Sequence, residues 1–362
     1  MSGTGSQFWL GRPGARLHRF DRGARPRRTG AGADLMDRAP PEFTVVIPTH
    51  NRKDLLARLL ESLERQTLKA AEYEVLIVHN HTDDGTQAMA SAWCARQPFA
   101  ARYFRKDYKG PARSRQFGAR AAQGRFLAFI DDDCVATPGW LAAGRAAFEM
   151  NGAAGVQPVG LVQGATFPMP DQPRPFLSKT IEISQPSVFF ETCNIFYLKS
   201  AFEQVGGFSD DFIDRFYGED TDLGWKLTQS GFASRFAADA LVHHEIFRVS
   251  LYKWLSEPLY FKNLPALVKK YPGLRSHMFL GYFINRDSFL FNLLPLALVL
   301  APWCGAWTFV ATLPYFVERY RNGSHVRNAG FRVLRVLSGV VRGAFTWWAL
   351  AVGSIRARAF LL

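Results

Sequence analysis

The run Phe126-Leu127-Ala128-Phe129-Ile130, apolar at every position and ended by three aspartates, is the feature that most narrows what this chain can fold into. Side chains alternate between faces along a strand, so an unbroken apolar strand has to be covered on both sides. Strands of that kind belong to parallel sheets layered between helices. Two further runs agree. Phe43-Thr44-Val45-Val46-Ile47 stops at Pro48 and is followed by Leu55, Leu56, Leu59, Leu60 and Leu63 at helical spacing. Tyr73-Glu74-Val75-Leu76-Ile77-Val78 ends in a polar turn, His79 to Gly85, before a second helical stretch. Alternating strand and helix predict an α/β fold with a doubly wound, mostly parallel sheet. Ligands of such sheets lie beyond the carboxyl ends of the strands, where the polar clusters of this chain fall. No G-x-G-x-x-G follows the first strand, which argues against a nicotinamide or flavin enzyme.

Charge is distributed unevenly. The chain has 362 residues and a formal charge of +13, but the excess lies in residues 1–38 and 269–362, leaving the middle near neutral. A neutral domain with basic flanks suits a catalytic unit resting on anionic lipid, and not a nucleic-acid groove, so no nucleic-acid partner is expected. Three regions follow: a disordered basic arm over 1–41, a catalytic domain over 42–268 and a membrane-associated helical region over 269–362. The arm lacks the apolar core of a secretory signal. Cys94, Cys134, Cys193 and Cys304 are widely spaced without a C-x-x-C pair, so neither a zinc site nor a disulfide framework is indicated.

The aspartates that end the third apolar run repel one another unless a cation or strong donors compensate. If the backbone stays extended, Asp131 and Asp133 face one side and Asp132 the other. Magnesium or manganese would use one or two such carboxylates and complete its shell with phosphate oxygens and water. Alternatively the triplet is a solvated turn before a helix with Thr137 as cap and Pro138 as first residue. Downstream, Gly218-Glu219-Asp220-Thr221-Asp222-Leu223 opens a helix with Leu223, Trp225 and Leu227. Acids there are favoured by the helix dipole, but one or two would suffice. A carboxylate can also act as a general base toward a sugar hydroxyl. His243 or His244, after Ala240-Leu241-Val242, could complete a metal site begun by Asp133, and Arg113 and Arg115 could grip a diphosphate.

Taken in order, these segments resemble the family 2 glycosyltransferases. The matching elements are Val45-Val46-Ile47-Pro48-Thr49-His50-Asn51-Arg52, Asp83-Asp84-Gly85-Thr86, Ser114-Arg115-Gln116-Phe117-Gly118, Phe129-Ile130-Asp131-Asp132-Asp133, Gly206-Gly207-Phe208 and Gly218-Glu219-Asp220-Thr221-Asp222-Leu223-Gly224-Trp225. The resemblance implies a GT-A fold and inverting transfer of one sugar from a nucleotide-diphosphate donor with Mg2+ or Mn2+. It implies that Asp131 and Asp133 form the D-x-D element and that Asp220 is the base, with Glu219 beside it. His243 or His244 is a late metal ligand. The donor set implied is Pro48, Thr49, Asn51, Arg52, Asn80, Asp84, Arg115, Asp131 and Asp132, with Asn194 and Trp225 on the acceptor side. His79 and Asn80 stand where the family often has an Asp that pairs with the nucleobase, so the base is left open. No Q-x-x-R-W follows the Asp220 helix, which favours single-sugar transfer over processive synthesis.

The acceptor expected is a lipid-linked or cell-envelope glycan, polyprenyl-linked or otherwise, met at the cytoplasmic face of the inner membrane. Nucleotidyl or phosphoryl transfer and a non-catalytic membrane scaffold are the competing readings. The tail carries the membrane argument. Phe289 to Val317 is uncharged over 29 residues, interrupted by Pro295, Pro302 and Pro314, and about 20 apolar residues span a bilayer. Val333 to Ile355 is apolar except for Arg335 and Arg342. Basic residues flank both stretches, so all the flanking loops should share one side. The first stretch is expected to enter and return as a broken helix, and the second to lie in the interface with Trp347 and Trp348 at headgroup level.

Overall fold

A computed structural model describes residues 39–362 except 81–82, 109, 150–156, 216 and 323–328. Most of the basic arm therefore lies outside the described residues. The chain begins with β1 (Phe43–Thr49), α1 (Lys53–Leu63), β2 (Tyr73–Asn80), α2 (Thr86–Ala95), β3 (Ala100–Lys106), α3 (Pro111–Ala121) and β4 (Phe126–Ile130). It continues through β5 (Cys134–Ala136), α4 (Trp140–Glu149), β6 (Val159–Pro168), β7 (Ser178–Lys179), β8 (Asn194–Leu198), α5 (Lys199–Gln204), α6 (Glu219–Gln229), β9 (Ala233–His244) and β10 (Phe247–Arg248). The tail is helical: α7 (Leu251–Ser256), α8 (Leu264–Lys270), α9 (Arg286–Phe291), α10 (Leu293–Cys304), α11 (Leu313–Asn322) and α12 (Ala329–Ala357).

Eight strands form one sheet in the order β3-β2-β1-β4-β8-β6-β9-β5, parallel across β3-β2-β1-β4 and β6-β9 and antiparallel at β4-β8, β8-β6 and β9-β5. The expected α/β class and mostly parallel sheet are present. Alternation explains the layering. Val45, Ile47, Val75, Ile77, Ala128 and Ile130 fill a core under α1, α2 and α4. Val46, Leu76, Leu127 and Phe129 fill a second core under α3, α5 and α6. Each apolar run thus feeds two cores, which is why no polar residue interrupts the third.

Local expectations needed correction in four places. β1 does not stop at Pro48 but runs to Thr49. Its ladder with β4 ends at Val46 while that with β2 continues, so the proline lacks a donor only where the β4 ladder needs none. A strand was missing from the sequence reading: β3, Ala-Ala-Arg-Tyr-Phe-Arg-Lys, lies at the sheet edge, half-covered, and mixes basic with apolar residues. α4 begins at Trp140 and not at Pro138. The Thr137 hydroxyl donates to Leu241 O at 2.9 Å instead of capping the helix. The fourth is the aspartate turn described below.

β1, β2 and β4 end at one edge of the sheet, at Thr49, Asn80 and Ile130. Antiparallel β8 begins there, Asn194 opposite Ile130, and β9 ends with His244 opposite Cys134. Residues as far apart in sequence as Thr49 and His244 are collected at this edge by strand direction alone.

Candidate active site

The aspartate triplet is not extended. The chain leaves β4 at Ile130 and turns, Cys134 N–H donating to Asp131 O at 3.2 Å. The expected division, Asp131 with Asp133 and Asp132 opposite, is therefore corrected. Asp132 and Asp133 share one Arg52 nitrogen at 3.0 and 2.7 Å, and Asp131 turns to Arg115. Thr49 Oγ1 also donates to Asp132 at 2.7 Å. Burial pushes the Asp132 carboxyl up to about 6, Arg52 opposing and Asp133 adding to the rise. Pro48 is buried in β1, whereas Asn51 is exposed in the turn after it with a left-handed φ of 53°.

Arg115 is the hub of the site. It is buried on α3, pairs with Asp131, and faces Asp220 and Glu219 electrostatically. Burial works against its charge, yet the three carboxylates more than offset that and hold its pKa above the ordinary guanidinium value. Asp220 accepts from Thr192 N–H at 3.0 Å and Thr192 Oγ1 at 2.9 Å. Burial raises its pKa despite Arg115 and these bonds. The helix that presents it starts from an unusual turn: Tyr217 and Gly218 have φ of 101° and 112°. A Cβ on Gly218 would meet Phe212 and Leu267 at 3.1 and 3.2 Å in a conformation that L residues avoid. Tyr217 N–H donates to Glu219 Oε2 at 3.1 Å.

Burial, and next the neighbouring Asp220, push the Glu219 carboxyl up to about 8. An acid raised from 4.5 in this way contributes stability that is full below about pH 4.5 and lost as pH rises through 8. The ligand-free protein is accordingly expected to lose melting temperature between pH 6 and 9 more steeply than Glu219→Gln, by at least about 2 °C, the shift worth roughly 1 kcal/mol in a protein of this size. Parallel melting curves for the two proteins across that range would refute the assignment.

His244 and Asp133 face each other. The imidazole Nδ1–H donates to Glu245 O at 2.8 Å, which leaves Nε2 as the nitrogen 3.4 Å from Asp133 Oδ1. That oxygen is buried without any donor. A carboxylate oxygen beside an imidazole nitrogen is an arrangement that can hold a cation, with the backbone carbonyl orienting the ring. Cys134 Sγ lies within 4.8 Å of both, but burial holds its thiol well above the ordinary range, so it is a neutral neighbour and a poor ligand for a hard cation. His243, one residue earlier on β9, points to the other face and joins no such cluster among the described residues. Asp131 belongs to Arg115 and not to this cluster.

Asn80 Oδ1 accepts from Ser114 Oγ at 3.0 Å, which ties the end of β2 to α3. Asp84 is taken up locally, accepting from Thr86 N–H at 3.1 Å and Thr86 Oγ1 at 2.8 Å at the start of α2. The two acceptor-side residues are corrected. Asn194 is fully buried, its amide donating to Ala165 O and Ala240 O at 2.7 and 2.8 Å and accepting from Trp140 Nε1 at 2.8 Å. It welds β8 to β6, β9 and α4, and has no group left for an acceptor. Trp225 donates to Val188 O at 3.0 Å and packs against Tyr271 and Gly273, a joint between α6 and the tail. Asp222 likewise leaves the chemistry: it accepts from Ser209, from Tyr271 Oη at 2.8 Å and from Lys270 Nζ at 2.7 Å.

Sequence reading missed Thr192 and Thr180, whose hydroxyl lies 3.3 Å from His244 Nδ1. Thr192 stood two positions before Asn194, which was selected, but only the turn before β8 aims it at Asp220. Nothing local marks Thr180.

Residues 44–206 match the family model described as glycosyl transferase family 2. Glycosyltransferase AglE of Haloferax volcanii is 27% identical over 210 residues, 56% of this chain and 67% of that one. Validoxylamine A glucosyltransferase of Streptomyces hygroscopicus subsp. jinggangensis is 28% identical over 228 residues, 53% of this chain and 52% of that one. The chain thus spans about two thirds of the first relative's length and about half of the second's. The mannosyltransferase PcManGT from Pyrobaculum calidifontis, solved with GDP-Man and Mn2+, has the same fold at a TM-score of 0.52, with 14% identity over 89% of this chain and 90% of that one. The sheet, the acid-rich edge at its strand ends and these likenesses converge on a glycosyltransferase of GT-A fold, whose residues 44–206 match the family 2 model.

Proposed function

We propose that the protein transfers a single sugar, with inversion and with the help of a divalent cation, from a nucleotide-diphosphate donor to a lipid-linked glycan or polyprenyl-linked acceptor at the membrane surface. The observation that carries the cation is the approach of Asp133 Oδ1 and His244 Nε2, both buried and 3.4 Å apart. Asp133 and His244 would hold Mg2+ or Mn2+, which would screen the charge of the departing diphosphate. Arg52 and Thr49 hold Asp132 and Asp133 in place, and Arg115 pairs with Asp131 beside them. The acceptor oxygen attacks the anomeric carbon as the bond from that carbon to the diphosphate oxygen breaks. Asp220, raised in pKa by burial and aligned by Thr192, takes the hydroxyl proton. Incubation with a panel of nucleotide sugars and lipid acceptors, with mass spectrometry of both products, tests the reading. A phosphate-bearing acceptor product would turn it into nucleotidyl transfer.

The division at 268 is likewise a proposal, of roles and not of folding units, since residues 40 to 362 form one compact unit. Phe212, Leu264, Leu267, Leu274, Leu350 and Leu361 share one core, joining the catalytic side to the chain end. Two helical stretches, Arg286–Cys304 and Gly330–Ala357, are long and apolar enough to cross a membrane, and most of each is uncovered. The first breaks at Gly305, where φ is 72°, and a 3-10 turn, Ala306–Thr312, doubles back on α10. Along α12 the charged Arg342 faces Trp254 and Glu257 while Leu334, Leu337, Val341 and Trp348 are exposed. A helix with its charges inward and its apolar face outward suits the interface, and the broken first stretch suits shallow entry and return.

Trp303 and Trp307 are 78% and 84% exposed, so replacing them does not disturb packing. Trp303→Glu combined with Trp307→Glu is expected to weaken binding to anionic vesicles by about tenfold or more, a loss of 1.4 kcal/mol or greater. Unchanged cosedimentation would remove the apolar loop from the membrane contact.

A further inference from the structure

We propose that the groove between the 174–182 segment and helices α11 and α12 binds a phosphate group carried by the acceptor lipid, an inference that rests on the lipid-acceptor reading above. The cavity measures about 480 Å³, within the range of small-ligand sites. Five cationic side chains line it: Arg174, Lys179, Arg319, Arg335 and Arg342. Only two carboxylates do, Glu182 and Glu257. Glu182 is engaged by Arg174 at 3.1 Å, and Glu257 is shared by Lys179 at 2.5 Å and Arg342 at 3.4 Å. Arg319 leans on Asp287 behind it at 3.0 Å. Set against these three carboxylates, the five cations leave positive charge in excess among the described residues. Guanidinium forks match phosphate oxygens two at a time, so an anion of higher charge than a carboxylate is the natural occupant.

The position of the groove identifies the carrier. On one side Thr180, which lines it, approaches His244 Nδ1 at 3.3 Å, and His244 faces Asp133. A phosphate here would stand one side chain away from the candidate cation site. On the other side Phe176 stacks on Phe331 with centroids 6.0 Å apart, and exposed Phe331 continues into the apolar face of α12 at Leu334 and Leu337. A headgroup in the groove can leave its hydrocarbon chain on that face. A diester phospholipid carries one negative charge at its phosphate, whereas a polyprenyl phosphate or diphosphate carries more, and a concentrated cationic groove distinguishes them where a flat basic surface does not.

The test uses full-length protein and phosphatidylcholine vesicles containing polyprenyl phosphate or, at equal total charge, phosphatidylglycerol. Chelator is present throughout, so that the candidate cation site does not contribute. Binding to the polyprenyl phosphate vesicles is expected to be at least about tenfold tighter, a difference of 1.4 kcal/mol. Arg174→Gln combined with Arg335→Gln should abolish the preference. Arg174→Gln alone, on an exposed segment, should reduce it, which keeps the test decisive should the double variant misfold. Inorganic pyrophosphate should compete with the lipid. Equal binding to both vesicles would reduce the effect to bulk charge and overturn the proposal, as would a preference that survives both variants. Pyrophosphate binding without any lipid preference would make the groove a site for free phosphate and overturn it too. Binding is read without turnover. A missing preference beside lipid-linked product sinks the groove alone, while an intact preference without such product sinks the acceptor reading.

Discussion

Asp220→Asn is expected to lower turnover by about 10²-fold or more while leaving donor affinity close to that of the wild type. The substitution keeps the side chain's size and its oxygen toward Thr192, and removes the basicity. Burial already lifts the Asp220 carboxyl above its ordinary range, toward the region where a carboxylate accepts a proton usefully. A structural role would lower melting temperature and donor affinity together, so both are measured beside turnover. Wild-type turnover in the Asn variant would transfer the role to Glu219. It could not pass to Asp222, whose oxygens are held by Ser209, Tyr271 and Lys270 inside the joint to the tail.

Donor binding should weaken by about tenfold or more in chelator, and similarly in Asp133→Ala and His244→Ala with the cation present, a loss of at least 1.4 kcal/mol in each case. Asp133 and His244 are the residues that would hold the cation, and without it the Asp133 carboxylate has nothing to attract a diphosphate with. Added chelator should have little further effect on either variant, because the site it empties is already lost. Calorimetry with a nucleotide diphosphate reads this directly. An affinity indifferent to chelator in the wild type would end the metal-dependent reading, and a full response to chelator in His244→Ala would move the ligand elsewhere.

Much of the architecture was legible because it depends on local patterns. The three apolar runs became β1, β2 and β4, and the leucines from Leu55 to Leu63 became the buried stripe of α1. The acidic start of α6 was equally visible, because a helix onset and a cluster of acids are both properties of neighbouring residues. β3 escaped notice because an edge strand need not be apolar throughout; its alternation of small, basic and aromatic residues resembles a loop as much as a strand.

The candidate site divides the same way. Its residue types could be read in order along the chain, since carboxylates, guanidinium groups and imidazoles announce their chemistry wherever they stand. Their partnerships could not. Extended geometry would have paired Asp131 with Asp133, but a turn at Ile130 gave Asp131 to Arg115 and set Asp132 and Asp133 on Arg52. Two adjacent histidines were equivalent by sequence. The register of β9 against β5, Cys134 opposite His244, put one of them beside Asp133 and turned the other away. Asn194 looked like a polar group awaiting a ligand until two neighbouring strands and a tryptophan took up its amide. By itself the sequence determined which elements form and which functional groups they carry, because periodicity and side-chain chemistry are local. Only the tertiary structure decided which groups meet, because contacts between residues as far apart as Asp133 and His244 depend on strand order, register and turn geometry, which no local pattern records.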